Sequence, residues 1–269
     1  MRTRPEVSVI FPAYNEEARL EPTVALAAAY FARTGCAAEL IVVDDGSRDG
    51  TGALVRRLAD HVDALRLIRL PANRGKGYAV RAGVVNARGR RILFADADGA
   101  TPIEELERLD AALDRGADVA IGSRAVAAAG VEVKARLHRR LMGRTFHLLV
   151  SALTVRGFSD TQCGFKLFRA DVAQDLFSRM RMDGFSFDVE VLLMAQRRGY
   201  RVAEVPVNWA HVPGSRVNLV ADSLKMAADL FAIRGHALRG RYDQPHLAPL
   251  VESPFLAVDA AKTPAGVAG

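Results

Sequence analysis

Arg91-Ile92-Leu93-Phe94-Ala95-Asp96-Ala97-Asp98-Gly99 decides the architecture: a largely apolar run of strand length leads straight into two carboxylates and a glycine. A strand whose polar residues gather at its carboxyl end belongs to an open α/β sheet, where ligands bind beyond the strand ends. The unit recurs on both sides. Val7-Ser-Val-Ile-Phe, Glu39-Leu-Ile-Val-Val and Leu65-Arg-Leu-Ile-Arg precede it, Asp118-Val-Ala-Ile-Gly follows, and helical spacing fills 23–33, 51–60, 77–87 and 103–115. This βαβ alternation predicts a mostly parallel sheet with helices on both faces.

The polar clusters then fall where such a sheet binds its ligand. Asn15-Glu16 follows the first strand, Asp44-Asp45-Gly46-Ser47 the second, Asn73-Arg74-Gly75-Lys76-Gly77 the third, Asp96-Ala97-Asp98-Gly99 the fourth and Ser123-Arg124 the fifth. Asp96 and Asp98, two apart on an extended segment, point the same way, and such carboxylates repel unless a cation lies between them. A divalent cation held by one or two carboxylates plus substrate phosphates fits, and a solvated turn capping the helix near Pro102 is the plain alternative. Asp49 and Gly50 read as cap and turn, whereas Asp44 and Asp45 are surplus to a cap and can accept from a base N–H or a ribose hydroxyl. In 73–77 a helix N-terminus, two glycines and two cations converge as an anion site. Neither the Walker spacing nor Gly-x-Gly-x-x-Gly is present, which counts against ATP hydrolysis and dinucleotide redox chemistry. Together the clusters describe a nucleoside diphosphate donor held with a divalent cation.

Composition agrees with an enzyme-sized globular chain: 269 residues, 50% hydrophobic and 25% charged. No apolar stretch approaches the ~20 residues of a spanning helix, and the run after the charged start is too short for a signal peptide, so a cytosolic location is expected. Cys36 and Cys163 imply neither a disulfide scaffold nor a zinc site. The net charge of +6 points to an anionic partner, which charge alone leaves open among nucleic acid, lipid and phosphorylated substrate. With 7% aromatics and no stacking pattern, a nucleic-acid module is the poorer reading.

The second half is less regular. A basic segment, 124–144, runs into the apolar 146–155; strand-like 163–168, helical 187–198 and strand-like 201–207 follow. Residues 217–234 read as an apolar-rich helix with Asn218, Asp222, Lys225 and Asp229 on one face, and 241–269 as a disordered tail rich in Pro, Ala and Gly.

Val9-Ile-Phe-Pro-Ala-Tyr-Asn-Glu, Val42-Val-Asp-Asp-Gly-Ser-Arg-Asp-Gly-Thr, Asn73-Arg-Gly-Lys-Gly, Asp96-Ala-Asp-Gly and Gly122-Ser-Arg together resemble the inverting GT-A glycosyltransferases of family 2. Ser159-Asp-Thr-Gln-Cys-Gly-Phe-Lys-Leu-Phe, Phe185-Ser-Phe-Asp-Val-Glu, Glu204-Val-Pro-Val-Asn-Trp and Gly214-Ser-Arg narrow the resemblance to the polyprenyl-phosphate branch, with the dolichyl-phosphate β-glucosyltransferases most alike. The resemblance implies a GT-A catalytic domain over 1–216, followed by the helix (217–240) and the tail (241–269). It implies transfer of a hexose, glucose before mannose, from a UDP-sugar to a polyprenyl or dolichyl phosphate, with Mg2+ or Mn2+ and a β-linked product. GDP-mannose as donor is the alternative.

Carried over by position, Pro12, Ala13, Tyr14 and Glu16 would line the nucleoside pocket, with Asp44 or Asp45 reading the base. Arg74 and Lys76 would hold base or diphosphate, Asp96 and Asp98 the metal, Gln162 the sugar, and Arg124 and Arg139 the lipid phosphate. Asp160 is the candidate base, or else orients its Arg and Gln neighbours. The chain departs from mannose synthases in His211, where they carry arginine, and in ending the Gly-Ser turn with Arg216; it also lacks the membrane span of many relatives. The basic cluster Lys134, Arg136, Arg139, Arg140 and Arg144 beside 146–155 then suggests peripheral attachment to an anionic membrane from its cytoplasmic, inner face.

Overall fold

The structure, a computed structural model, describes residues 4–134, 150, 153–212 and 219–245. The first half alternates as the apolar runs predict: β1 (Val7–Ala13), α1 (Leu20–Thr34), β2 (Ala38–Asp44), α2 (Thr51–Ala59), β3 (Leu65–Arg69), α3 (Lys76–Asn86), β4 (Arg91–Ala95), α4 (Leu106–Asp114) and β5 (Val119–Ser123). Then come β6 (Val133–Lys134), β7 (Phe165–Arg169), α5 (Ala170–Arg179), α6 (Phe187–Arg197), β8 (Val202–Pro206), β9 (Trp209–Ala210) and α7 (Leu219–Leu238).

Seven strands form one sheet in the order β3-β2-β1-β4-β7-β5-β8, and β6 pairs separately with β9. Every neighbour pair in the large sheet is parallel except those of β7, which runs antiparallel between β4 and β5. Both faces are covered. Ile10, Ile41, Ile92 and Phe94 pack with α3, α5, α6 and α7 on one side, while Val9, Phe11, Val42 and Leu93 pack with α1, α2 and α4 on the other. Burial on both faces explains why these strands read as continuous apolar runs rather than alternating ones.

The strand order reverses between β1 and β4, and that reversal opens the crevice. β1 pairs with β4 only over Val7–Ile10, so Pro12, which has no N–H to donate, lies beyond the ladder on that side. β7 adds a second consequence. Because it runs antiparallel, its first residues return to the carboxyl end of β4, where the Asp96 N–H donates to the Gly164 carbonyl at 2.9 Å.

The C-terminal helix packs on the core through Leu230, Ile233 and Ala237, and leaves Phe231 and Leu238 exposed. Order continues past it, which corrects the expectation of a tail beginning at Arg241. Tyr242 is buried, and the carbonyls of Arg241, Tyr242 and Asp243 accept hydrogen bonds from Arg179 and Arg181. A composition rich in Pro, Ala and Gly hides such a segment because two arginines distant in sequence anchor it. Residues 246–269, Arg136, Arg139, Arg140, Arg144 and Arg216 lie outside the described residues. Among the described residues no helix is long and apolar enough to cross a membrane.

Candidate active site

The crevice is built by stitching three strand ends together. Asn15, which follows β1, holds a left-handed backbone (φ 54°); its N–H donates to Ser47 Oγ at 2.9 Å and its Oδ1 accepts the Arg48 N–H at 2.9 Å. The Glu16 N–H donates to Thr51 Oγ1 at 2.9 Å, joining the same two loops. Gly46 (φ 67°) lets the second loop sit against the third, since a Cβ there would meet the Ala72 carbonyl carbon at 2.5 Å. Pro12 and Ala13 end β1, Tyr14 follows, and Glu16 forms an ion pair with Arg19 at 2.5 Å.

Asp44 and Asp45 divide the work differently from the sequence expectation. Asp44 is buried; its Oδ1 accepts the Ser47 N–H at 2.8 Å and its Oδ2 lies 3.3 Å from Arg69 Nε, so it builds the turn. The Asp45 oxygens accept the Arg74 and Gly75 N–H groups, each at 2.8 Å. The amides expected to bind a ligand anion therefore already bind one of the protein's own. Burial pushes the Asp45 carboxyl up to about 6, although the two N–H donors work against the rise.

The two glycines of the third loop also have a packing role. Gly75 (φ 107°) and Gly77 press against the segment before α6, where added Cβ atoms would meet the Asp183 and Met182 carbonyl oxygens at 2.5 and 2.6 Å. Arg74 stacks 4.6 Å over the Tyr78 ring and faces outward. Lys76 turns inward, with Nζ 2.6 Å from Asp96 Oδ1. Burial works to lower the Lys76 ammonium, but Asp96 and Asp188 outweigh it, so the group stays charged.

Asp96 and Asp98 come out beside each other at the β4 end. Burial, then the charge of Asp96, pushes the Asp98 carboxyl above the ordinary range. A divalent cation would relieve that repulsion. Among the described residues no cluster of three or more His, Cys, Asp or Glu side chains could hold a metal by itself, so diphosphate and water would complete the shell. The donor set fits a hard cation. Around the pair, Thr23 Oγ1 donates to the Ala97 carbonyl at 3.0 Å, and Gly164 leaves no room for a side chain against the Asp96 carboxylate.

Arg124 and Asp160 form one ion pair, the arrangement in which Asp160 orients its arginine neighbour. Arg124 Nε and Nη2 donate to Asp160 at 2.6 and 2.9 Å, and the Arg124 and Gln162 N–H groups donate to it at 3.0 and 3.1 Å. Burial would raise the Asp160 carboxyl, yet Arg124 overrides it and holds the group below the usual carboxylate range. Such a carboxylate is a poor proton acceptor and a good orienter. The Arg124 guanidinium lies 5.6 Å over the Trp209 ring, and Gln162 meets Met226 of α7. Arg139 lies outside the described residues.

Several residues that shape this site carry no assignment in the sequence analysis: Arg19, Thr23, Gly164, Lys166 and Asp188. Lys166 and Asp188 are the least visible, since each sits within an apolar run. Beyond lying in segments that carry the family resemblance, their signal is a charge at a position whose neighbours on both sides are core residues.

The wider comparisons agree with this geometry. The profile of Glycosyl transferase family 2 matches residues 8–177. The human dolichyl-phosphate beta-glucosyltransferase is 38% identical over 250 residues, covering 88% of this chain and 77% of the human one. Its Saccharomyces cerevisiae counterpart is 37% identical over 254 residues, covering 88% and 76%. Among solved structures, glucosyl-3-phosphoglycerate synthase from Mycobacterium tuberculosis, in complex with Mn2+, UDP-glucose and phosphoglyceric acid, superposes with a TM-score of 0.66 at 22% identity, covering 86% of this chain and 80% of that one. Mannosyl-3-phosphoglycerate synthase from Rubrobacter xylanophilus gives 0.62 at 17% identity, covering 90% and 77%. The fold is GT-A, and the chain belongs to glycosyl transferase family 2 as a glycosyltransferase.

Proposed function

We propose that this glycosyltransferase moves glucose from UDP-glucose to a polyprenyl phosphate of the dolichyl type, inverting the anomeric centre to give a β-linked lipid-phosphate sugar. The observation that carries the reading is the extent of the sequence match to dolichyl-phosphate beta-glucosyltransferases, which covers 88% of this chain. Pro12, Ala13, Tyr14, Glu16, Asp44 and Asp45 shape the nucleoside end, Asp44 and Asp45 through the loops they hold. Lys76, which turns inward, is assigned to the diphosphate, Arg74 at the outer edge to base or diphosphate, and Gln162 to the sugar. Asp96 and Asp98 would hold Mg2+ or Mn2+, which supplies counter-charge to the leaving diphosphate.

Charge accounting sets the rest of the mechanism. A lipid phosphate is already anionic and needs little deprotonation, so alignment and leaving-group stabilisation dominate. Lys76 contributes to the second by its charge. Arg124 and Arg139 are assigned to the acceptor phosphate, and Asp160 to holding Arg124 and Gln162 in place rather than to proton transfer. We infer an anionic membrane surface, not nucleic acid, as the remaining partner, reached peripherally from the cytoplasmic face through the Lys134 to Arg144 cations and the exposed Phe231 and Leu238.

Mass spectrometry of the lipid product tests the reading. UDP-glucose and GDP-mannose are supplied separately, with a polyprenyl phosphate and Mg2+ or Mn2+. A hexosyl lipid phosphate from UDP-glucose is expected, and a product from GDP-mannose alone would overturn the donor assignment.

A further inference from the structure

The segment between α5 and α6 stands between two structures that are remote in sequence. On one side it carries the diphosphate loop. The Tyr78 N–H donates to the Asp183 carbonyl at 3.1 Å, the buried Arg81 donates through Nη1 to the Met180 carbonyl at 3.1 Å, and Gly75 and Gly77 lie flat against Asp183 and Met182. On the other side the same segment hangs from Glu190. The Arg181 and Met182 N–H groups both donate to Glu190 Oε2, at 3.0 and 2.8 Å. The remaining oxygen, Oε1, accepts the Tyr242 hydroxyl at 2.8 Å, within the buried interior.

Tyr242 itself belongs to the strap that follows α7. Arg179 Nη1 donates to the Tyr242 and Asp243 carbonyls at 3.3 and 2.6 Å, and Arg181 donates to the Arg241 carbonyl at 3.2 and 3.0 Å. The helix that leads into the strap reaches the site too: Asp229 accepts the Ser186 hydroxyl at 2.8 Å, and Met226 touches Gln162. Glu190 is thus a three-way junction, and neither it nor Tyr242 faces the crevice.

We infer that Glu190 and Tyr242 are positioning residues, through which the C-terminal strap sets the 180–184 segment and hence the diphosphate loop at Arg74–Tyr78. The physical reason is that the Arg181 and Met182 N–H groups are held by Glu190 while the Met180 and Asp183 carbonyls hold Arg81 and the Tyr78 N–H. Losing the Tyr242 hydroxyl leaves a buried carboxylate oxygen unsatisfied, and the cheapest relief is for Glu190 to turn toward water and release the Arg181 and Met182 amides. The loop would then lose its floor without losing any residue that touches the donor. The kinetic arm of this inference rests on the UDP-sugar reading, whereas the structural arm does not.

Hydrogen exchange on the free, full-length chain gives the structural arm, and steady-state kinetics with UDP-glucose and a polyprenyl phosphate gives the kinetic one. In Tyr242→Phe, exchange over 73–84 and 180–184 should quicken about tenfold, the factor that one lost hydrogen bond of ordinary worth gives, while exchange in β1 and β2 stays at the wild-type rate. Donor KM should rise with acceptor KM unchanged. Glu190→Gln, whose amide can accept the two N–H groups and donate to the tyrosine oxygen, should stay close to wild type. Unchanged exchange over 73–84 in Tyr242→Phe would overturn the inference, as would an increase spread evenly along the chain. Failure to use UDP-glucose, by contrast, would strike the donor assignment and leave the exchange result to decide.

Discussion

Lys166 and Asp188 form an ion pair of 2.5 Å with side chains 1% and 4% exposed, directly beneath the site. Lys166 also donates to the Cys163 carbonyl at 2.7 Å and lies 5.2 Å from the Phe94 ring centroid, from which Lys76 lies 5.8 Å. A buried pair like this is weak as net stabilisation but severe when halved. It also ties β7, which Gly164 precedes, to the helix that backs Gly77.

Removing one partner should therefore cost more than removing both. Lys166→Met leaves the Asp188 charge buried and should lower unfolding free energy by about 3–5 kcal/mol, whereas Lys166→Met with Asp188→Leu should regain most of that loss. Urea unfolding of the three proteins checks the order.

The metal assignment makes a sharper demand. Asp96→Asn and Asp98→Asn, and chelation of the wild type by EDTA, should each cut transfer by at least about a hundredfold while circular dichroism is unchanged. Added Mg2+ or Mn2+ should restore only the chelated wild type. Full activity in metal-free enzyme would remove the carboxylate pair from the mechanism.

Gly164→Ala separates site geometry from stability. The new methyl would fall on the Asp96 carboxylate, which must swing aside and weaken its contact with Lys76. A displacement of that size costs on the order of 10²-fold in rate. Comparing kcat with the melting curve is the measurement, and a variant as fast as wild type would show that Asp96 has room to move.

Stability should fall as pH rises from mildly acidic toward neutral. Burial first, against its N–H and hydroxyl donors, raises the Glu190 carboxyl from 4.5 to about 7, and Asp45 rises from 3.8 to about 6. Between the unfolded and folded values the native state binds the extra proton, so the contribution is full below the unfolded pKa and is lost as pH passes the folded one. The urea midpoint should decline between about pH 4 and 7, and Glu190→Gln should flatten the upper part of that decline. Asp160 and Asp175, held low, titrate below this window.

How much of this was legible beforehand follows from which forces are local. Period and apolar run length depend on neighbours in the chain, so the five early strands and their helices could be read directly, and with them the placing of Asp96, Asp98 and Lys76 in the loops that follow the strands. Helix α5 and the antiparallel insertion of β7 could not be read, because strand direction is set by partners far away in sequence.

The same division runs through the site. Sequence by itself determined which residue types stand at the strand ends, and so the class of donor that they suit. Only the tertiary structure decided how those charges are spent: Asp45 on the amides of its neighbouring loop, Asp160 on Arg124, Asp188 on Lys166, and Glu190 on a strap that composition marks as disordered. A carboxylate has the same letter whether it meets a substrate or an arginine. What separates the two is the partner folded against it and the water removed when they meet.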